Sequence, residues 1–150
     1  MNRIGTISHL LATIESDLRS IDRSVESVFK NISAYIKSVS YLNELITPNF
    51  DGRRKYLEFS DFGFTIDIQT KLKIFDLERN PSYCNEIEFY IDLSRYEKQT
   101  VLKIYITDDG FIVQNVYEPK SICQADNDYK GKSILELLLV NLSEQKIISL

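Results

Sequence analysis

The stretch FGFTIDIQTKLKI, residues 62–74, has an apolar side chain at nearly every second position. Successive side chains of a β-strand point to opposite faces of the sheet, so this alternation predicts a strand with one buried and one solvated face. The stretch EIEFYIDL at 86–93 repeats the pattern, with Ile87, Phe89, Ile91 and Leu93 predicted to point inward. An amphipathic sheet is therefore expected to form the body of the molecule.

Three further strands are predicted around these two, at 55–60, 101–107 and 111–117. Asp109 and Gly110 lie between the last two, and Asp-Gly between alternating runs is a strong signal for a β-hairpin. The expected connections at 76–85 and 94–99 are short enough to join antiparallel neighbours. The pattern predicts an antiparallel meander of four or five strands.

A long helix is predicted before the sheet. Apolar residues recur at alternating spacings of three and four from Ile4 to Ile46, with no Gly or Pro between Thr6 and Thr47. Pro48 is the expected stop, which gives a helix of about 40 residues and roughly 60 Å. A compact domain of about 100 residues has a radius of gyration near 13 Å, so a straight helix would overhang it. The first part either projects toward a partner or breaks near 20–24 and folds back.

The two halves of this helix differ in the width of their apolar face. From 4 to 28 the face is nearly the bare seam of a coiled coil, whereas from Phe29 onward apolar residues also occupy flanking positions. We therefore predict a coiled-coil-like segment at 1–28 and a single α+β domain at 29–150. The candidate self-association residues are Ile4, Ile7, Leu11, Ile14, Leu18, Ile21, Val25 and Val28. An antiparallel pair, a fold-back and a foreign helix all remain open, whereas Asp17 facing Asp22 disfavours parallel pairing.

A second helix is predicted at the other end of the chain. SILELLLVNLSEQKII at 133–148 is amphipathic, with Ser133 as N-cap and Glu136 at the capping-box position, after a polar linker at 122–132. The order of one long helix, several antiparallel strands and one helix predicts an α+β fold, with the C-terminal helix packed on one sheet face.

Charge and composition restrict the possible partners. The 150 residues carry a formal net charge of -4, and residues 76–129 hold eleven Asp and Glu against five Lys and Arg, a local net of -6. Such a surface repels nucleic acid and anionic membranes and attracts basic proteins. Neither a secretion signal nor a run of about 18 apolar residues is recognisable, so we expect a soluble, cytoplasmic protein.

The residues that usually carry chemistry are sparse. His9 falls on the outer helix surface, where a general base has neither cleft nor partner. Cys84 and Cys123 lack the spacing of a zinc site, and we interpret them as structural or incidental thiols. Asp126 and Asp128 belong to the polar linker and lack the glycine and distal glutamate of a calcium loop. We predict no catalytic residue, no cofactor and no metal.

One stripe of polar residues remains as a candidate binding site. It combines carboxylates expected to face solvent with tyrosines, which suits capture of a basic protein; its members are Glu86, Glu88, Tyr90, Asp92, Tyr105, Asp108 and Asp109. The preferred hypothesis is a non-enzymatic protein-binding module, a small acidic inhibitor of the immunity-protein or antitoxin kind that blocks a basic toxin by occlusion. The alternative is an oligomeric structural, adaptor or secretion-chaperone-like protein that assembles through its N-terminal helix.

Overall fold

The computed structural model describes residues 3–75, 82–118 and 120–148. Helix α1 is Arg3–Ser38 and α2 is Ser40–Leu45. The strands that follow are β1 Thr47–Asn49, β2 Lys55–Phe59, β3 Phe64–Phe75, β4 Ser82–Ser94, β5 Glu97–Thr107, β6 Phe111–Val113 and β7 Cys123–Gln124, and the last helix is α3 Lys130–Glu144. Each strand pairs antiparallel with the next in one curled meander. The predicted α+β class, long N-terminal helix, antiparallel sheet and C-terminal helix are confirmed.

The strand count differs from the predicted four or five, since the described residues form seven. The two additional strands, β1 and β7, have three and two residues, too few to show alternation. Pro48 lies inside β1 rather than ending a helix, and an edge strand tolerates proline because one of its sides needs no backbone donor. The described part of the predicted 76–85 connection, 82–85, belongs to β4.

Helix α1 is a single helix of 36 residues, about 54 Å long. It has no break at 20–24, and the predicted continuity to Ile46 is wrong because Val39 is extended (φ -114°, ψ 112°) and separates α1 from α2. After this break, Leu42 and Ile46 both lie in the core, at 3% and 2% exposure.

The first half of α1 lies over the far end of a long β3–β4 hairpin. These strands have 12 and 13 residues, so the hairpin reaches about 40 Å. Ile74 and Tyr83 pair across it and pack against a small cluster formed by Leu10, Ile14 and Ile21 of α1. The expected overhang is therefore covered by the chain's own hairpin, which is longer than predicted because 82–85 belongs to β4 and not to a loop.

The start of α3 is three residues earlier than predicted. Ser133 is not the N-cap, and its Oγ donates to the Tyr129 carbonyl from within the helix. A cap is instead supplied by α1, because Asn31 Oδ1 accepts a hydrogen bond from the Gly131 N–H at 2.8 Å. Helices α1 and α3 meet closely there, since a Cβ on Gly131 would lie 2.5 Å from the Asn31 backbone. The helix ends at Glu144 rather than at 148.

The main core lies between the two long helices and one sheet face. Its fully buried members include Val28 and Ile36 of α1, Ile66, Ile87 and Ile104 of the sheet, and Ile134, Leu135, Leu138 and Leu142 of α3. Sheet residues of the opposite phase, among them Glu86 and Glu88, point away from the helices.

Candidate protein-binding site

The outer sheet face, the side away from the helices, was expected to expose its carboxylates. Glu86 and Glu88 are only 1% and 2% exposed, so that prediction is wrong. Lys73 Nζ lies 2.7 Å from Glu86 Oε2, and Lys98 Nζ lies 2.7 Å from Glu88 Oε1. Thr100 Oγ1 also donates to Glu88 Oε2 at 2.5 Å. Long side chains of the flanking strands therefore cover the carboxylates while their charged ends reach solvent.

These ion pairs fix the charge state of the outer sheet face. Burial alone would raise the pKa of Glu86 and of Glu88, but the ion pairs with Lys73 and Lys98 and the charge of Lys103 outweigh it, and both pKa values are lowered. Both carboxylates are ionised at neutral pH and neutralised by cations. The charged ends exposed around Glu86 and Glu88 are the ammonium groups of lysines, so these two carboxylates present no acidic stripe to a partner.

The other members of the predicted stripe are divided between two places. Tyr90 and Tyr105 are half-buried, with Lys98 Nζ 5.1 Å from the centre of the Tyr90 ring. Asp92 is exposed near the end of β4, whereas Asp108 and Asp109 are exposed at the turn between β5 and β6. The structure does not bring the seven residues together as one exposed surface.

The β5–β6 turn is held in place from three sides. Gly110 has φ 88°, a left-handed conformation that favours glycine, and its N–H donates to the Thr107 carbonyl. Thr107 Oγ1 donates to Asp109, and Ser82 Oγ donates to Asp108 Oδ2 at 2.6 Å. The Ala125 N–H donates to the Gly110 carbonyl at 2.8 Å. The predicted hairpin is present, and its carboxylates sit on a rigid loop.

A cleft of about 290 Å³ lies between this turn, α1 and β4. Its polar wall includes Asp17, Ser20 and Ser24 of α1, Tyr83 and Asn85 of β4, Thr107 at the end of β5, and Asp108 of the turn. Tyr83 Oη donates to Asp17 Oδ2 at 3.2 Å. Burial, followed by this hydrogen bond and the charges of Asp17 and Asp108, raises the pKa of Tyr83 to about 12. The phenol therefore remains a hydrogen-bond donor at physiological pH.

Of these polar wall residues only Asp108 belongs to the predicted binding stripe, and the others, among them Asp17, Tyr83 and Asn85, were missed. In the sequence Asp17 is only a charged flank of the helix seam, and Tyr83 and Asn85 fall within the predicted 76–85 connection. The sequence does contain a signal that β4 starts earlier, because Tyr83 and Asn85 continue the alternation of the inward-facing Ile87 and Phe89.

Some residues of the predicted self-association stripe on α1 are buried within the chain itself, and others are exposed. Ile14, Ile21, Val25 and Val28 are at most 9% exposed and are covered by the same chain, whereas Leu11 and Leu18 are 52% and 41% exposed. Ile7 is half-buried, and the side chain of Ile4 lies outside the described residues. Because a straight helix turns every 3.6 residues, its buried face drifts from a seven-residue seam, and Leu10 rather than Leu11 faces the hairpin.

Within 3–75, 82–118 and 120–148, the residue types that usually hold metal ions do not cluster. His9 is exposed on α1, and no group of three or more His, Cys, Asp or Glu in these ranges could hold a metal ion. None of the helices described there combines the length and apolar character needed to cross a bilayer. No family model, curated protein or solved structure matches the chain.

The two cysteines are expected to differ in reactivity. Neither is in a disulfide, and Cys84 is 2% exposed whereas Cys123 is half-buried. Burial raises the pKa of Cys84 to about 11 and also raises that of Cys123, and the thiolate is the reactive form. We expect iodoacetamide to modify Cys123 at least about tenfold faster than Cys84 in the native protein. Mass spectrometry of timed samples measures both rates; equal native rates would contradict the burial of Cys84, and urea should equalise them.

Proposed function

We propose that the chain is a non-enzymatic protein-binding module, a small acidic inhibitor of the immunity-protein or antitoxin kind that neutralises a basic partner by occluding it. One observation carries the proposal: Glu86 and Glu88 of the outer sheet face are paired with lysines, while Asp108 and Asp109 stay exposed beside Asp17 and its cleft. The proposed binding surface is thus the β5–β6 turn with the neighbouring part of α1, which we call the acidic end.

The electrostatics of the acidic end support capture of a basic protein. Exposed carboxylates on one side of a molecule steer an oppositely charged partner and raise its association rate. Hydrogen bonds from Ser82, Thr107 and Ala125 already hold the turn in one conformation. Little conformational entropy would be lost when such a loop meets its partner, which favours affinity.

An exposed aromatic ring lies close to the acidic end. Tyr117 is 75% exposed, and its ring packs edge-on against Phe75 with centroids 6.2 Å apart. Phe75 pairs with Ser82, the residue that donates to Asp108. Tyrosines supply large, rigid contact area in protein interfaces, so Tyr117 is a candidate anchor beside the carboxylates.

The alternative is an oligomeric structural or adaptor protein that assembles through α1. It is favoured by Leu11 and Leu18, which lie two turns apart on one side of the helix and remain exposed. This is a narrow strip, since the other described seam residues are half-buried or covered by the chain's own hairpin and core.

Charge reversal at the acidic end tests the proposal. The Asp108→Lys/Asp109→Lys variant should bind the basic protein captured from a native-host lysate at least about tenfold more weakly, a loss of ~1.4 kcal/mol. Glu58→Lys/Asp61→Lys is the matched control, because both acids are exposed away from the acidic end, Glu58 on β2 and Asp61 in the connection between β2 and β3. Wild-type and control proteins should inhibit the captured partner, with affinity falling between about 0.05 and 0.5 M salt.

Two results would overturn this function. One is partner binding that survives reversal of both turn carboxylates; the other is a bound partner whose activity is unchanged. Light scattering of the full chain distinguishes the inhibitor from the alternative, an oligomeric adaptor that assembles through α1. Concentration-dependent assembly that Leu11→Glu/Leu18→Glu abolishes, with no effect of the turn variant, would favour the adaptor.

A further inference from the structure

We propose that the cleft at the acidic end receives the guanidinium or ammonium group of an arginine or lysine side chain that the partner inserts. This inference rests on the proposed function only in that the partner is a basic protein. It adds a defined pocket, wall and ligand chemistry to what would otherwise be attraction between two surfaces.

The charge of the cleft wall favours a cation. Asp17 and Asp108 approach from opposite sides, and the described wall contains no Lys, Arg or His. Lys130 touches the wall residue Ala125, but its Nζ donates to Ser27 Oγ at 2.6 Å and to the Ala125 carbonyl at 2.9 Å. Lys130 is not a lining residue of the cleft, so the described wall itself carries two carboxylates and no cation, which favours a positively charged guest.

A second observation, independent of charge, points to a hydrogen-bond donor as the occupant. Asn85 is 9% exposed, and its Oδ1 is buried without a hydrogen-bond partner among the described residues. It is in phase with Tyr83 and so projects from β4 toward α1, into the space where the cleft lies. A buried acceptor without a donor is unfavourable, and an inserted N–H group would satisfy it.

The arrangement of acceptors suits a group with several donors. Tyr83 donates to Asp17 Oδ2 and Ser82 donates to Asp108 Oδ2, so among the described residues the second oxygen of each carboxylate is open to a guest. A guanidinium carries five N–H donors in a planar fork and can serve acceptors on more than one side. The volume of about 290 Å³ lies at the lower limit of small-ligand clefts, which begin near 300 Å³, and suits one inserted side chain.

Direct titration of the full chain tests this assignment without the partner. The probe is N-acetyl-arginine amide, and the matched control is N-acetyl-citrulline amide, which has nearly the same shape but no charge. NMR should show saturable shifts at Tyr83 and Asn85 with a Kd of about 1 mM for the arginine probe. The citrulline probe should cause none.

Adjacent aspartates provide matched variants. Asp108 lines the cleft and Asp109 does not, although both are exposed turn carboxylates. Asp108→Asn should weaken probe binding about tenfold, since a charge-assisted hydrogen bond is lost, and Asp109→Asn should change it less than about twofold. Asn85→Leu should also weaken binding of the arginine probe. The variant should still unfold cooperatively, which would show that it remains folded.

The outcomes separate this inference from the proposed function. Absence of saturable shifts, equal effects of Asp108→Asn and Asp109→Asn, or equal binding of the citrulline probe would overturn the cleft assignment. Agmatine is a free guanidino amine. If agmatine caused saturable shifts and the arginine probe did not, the cleft would bind a small metabolite, and the proposal that a partner side chain occupies it would be overturned. If the probe fails but reversal of the turn charges still releases the partner, only the cleft assignment fails.

Discussion

Gly131→Ala is expected to lower the free energy of unfolding by about 3 kcal/mol, the upper range for overpacking a well-packed site. A Cβ at this position would lie 2.5 Å from the carbonyl carbon and oxygen of Asn31 and 2.6 Å from the Ile32 nitrogen. These are backbone atoms of α1 and cannot rotate away as a side chain would. The two helices would have to separate, which would also weaken the bond from the Gly131 N–H to Asn31 Oδ1.

Gly52→Ala is the matched control for this substitution. A Cβ at Gly52 would meet only the Arg54 carbonyl oxygen, at 3.8 Å, an ordinary contact. The control should be neutral or stabilising by up to about 1 kcal/mol, because alanine restricts the unfolded chain. Urea denaturation gives the free energies of both variants. A Gly131→Ala protein as stable as wild type would contradict the close approach of α1 and α3, since helix propensity by itself favours alanine by about 1 kcal/mol.

The interior strands could be predicted because alternation is a property of each strand by itself. Residues 62–74 and 101–107 show it clearly, and Asp109-Gly110 marks the turn. Strands β1 and β7 could not be found in this way, since three and two residues contain no measurable period. They are defined by backbone hydrogen bonds to β2 and β6, which form only after the chain folds.

The helices show a similar limit. Periodicity identified α1, but it did not show which surface covers its first half, because Ile74 and Tyr83 lie about 60 residues farther along the chain. The start of α3 was misplaced because its cap comes from Asn31, 100 residues before Gly131. Capping rules read neighbouring residues, so a cap supplied by another helix has no local signal.

The predicted exposure of Glu86 and Glu88 was wrong for a different physical reason. Alternation assigned Glu86 and Glu88 to the correct sheet face, but a side chain on the outer face is not necessarily exposed to solvent. Lysines on the flanking strands are long enough to cover a carboxylate on the central strand. Opposite charges at cross-strand positions therefore indicate pairing within the sheet, and carboxylates without such partners, such as Asp108 and Asp109, are better candidates for an interface.

Lys73→Met is expected to destabilise the protein by about 2 kcal/mol at neutral pH. Glu86 is 1% exposed, and removal of one partner leaves a buried carboxylate poorly compensated, which costs ~3–5 kcal/mol in a fully buried pair. The expected value is smaller because Lys71 Nζ remains 3.8 Å from Glu86 Oε1 and Lys103 also acts on it. Lys71→Met is the matched control and should cost less than about 0.5 kcal/mol, as for an exposed ion pair.

The pH dependence should identify Glu86 as the origin of this effect. Its folded pKa is lowered from 4.5, so the wild-type contribution is complete above about pH 4.5 and is lost as pH falls through the lowered value. Without Lys73, burial is opposed by fewer charges, the pKa of Glu86 rises, and the carboxyl accepts a proton at a higher pH. The difference in unfolding free energy between wild type and Lys73→Met should be largest near pH 7 and should shrink toward about pH 3.5.

A double variant separates the ion pair from the packing of its alkyl chains. Lys73→Met/Glu86→Leu replaces both charges with apolar groups of similar size and should recover most of the stability lost in Lys73→Met, because no buried charge remains. Urea denaturation at both pH values measures all four proteins. Equal destabilisation at the two pH values, or no recovery in the double variant, would mean that Lys73 acts through packing. Recovery without a partner-binding defect would show that the charge of Glu86 acts within the sheet, which would support the acidic end as the proposed binding surface.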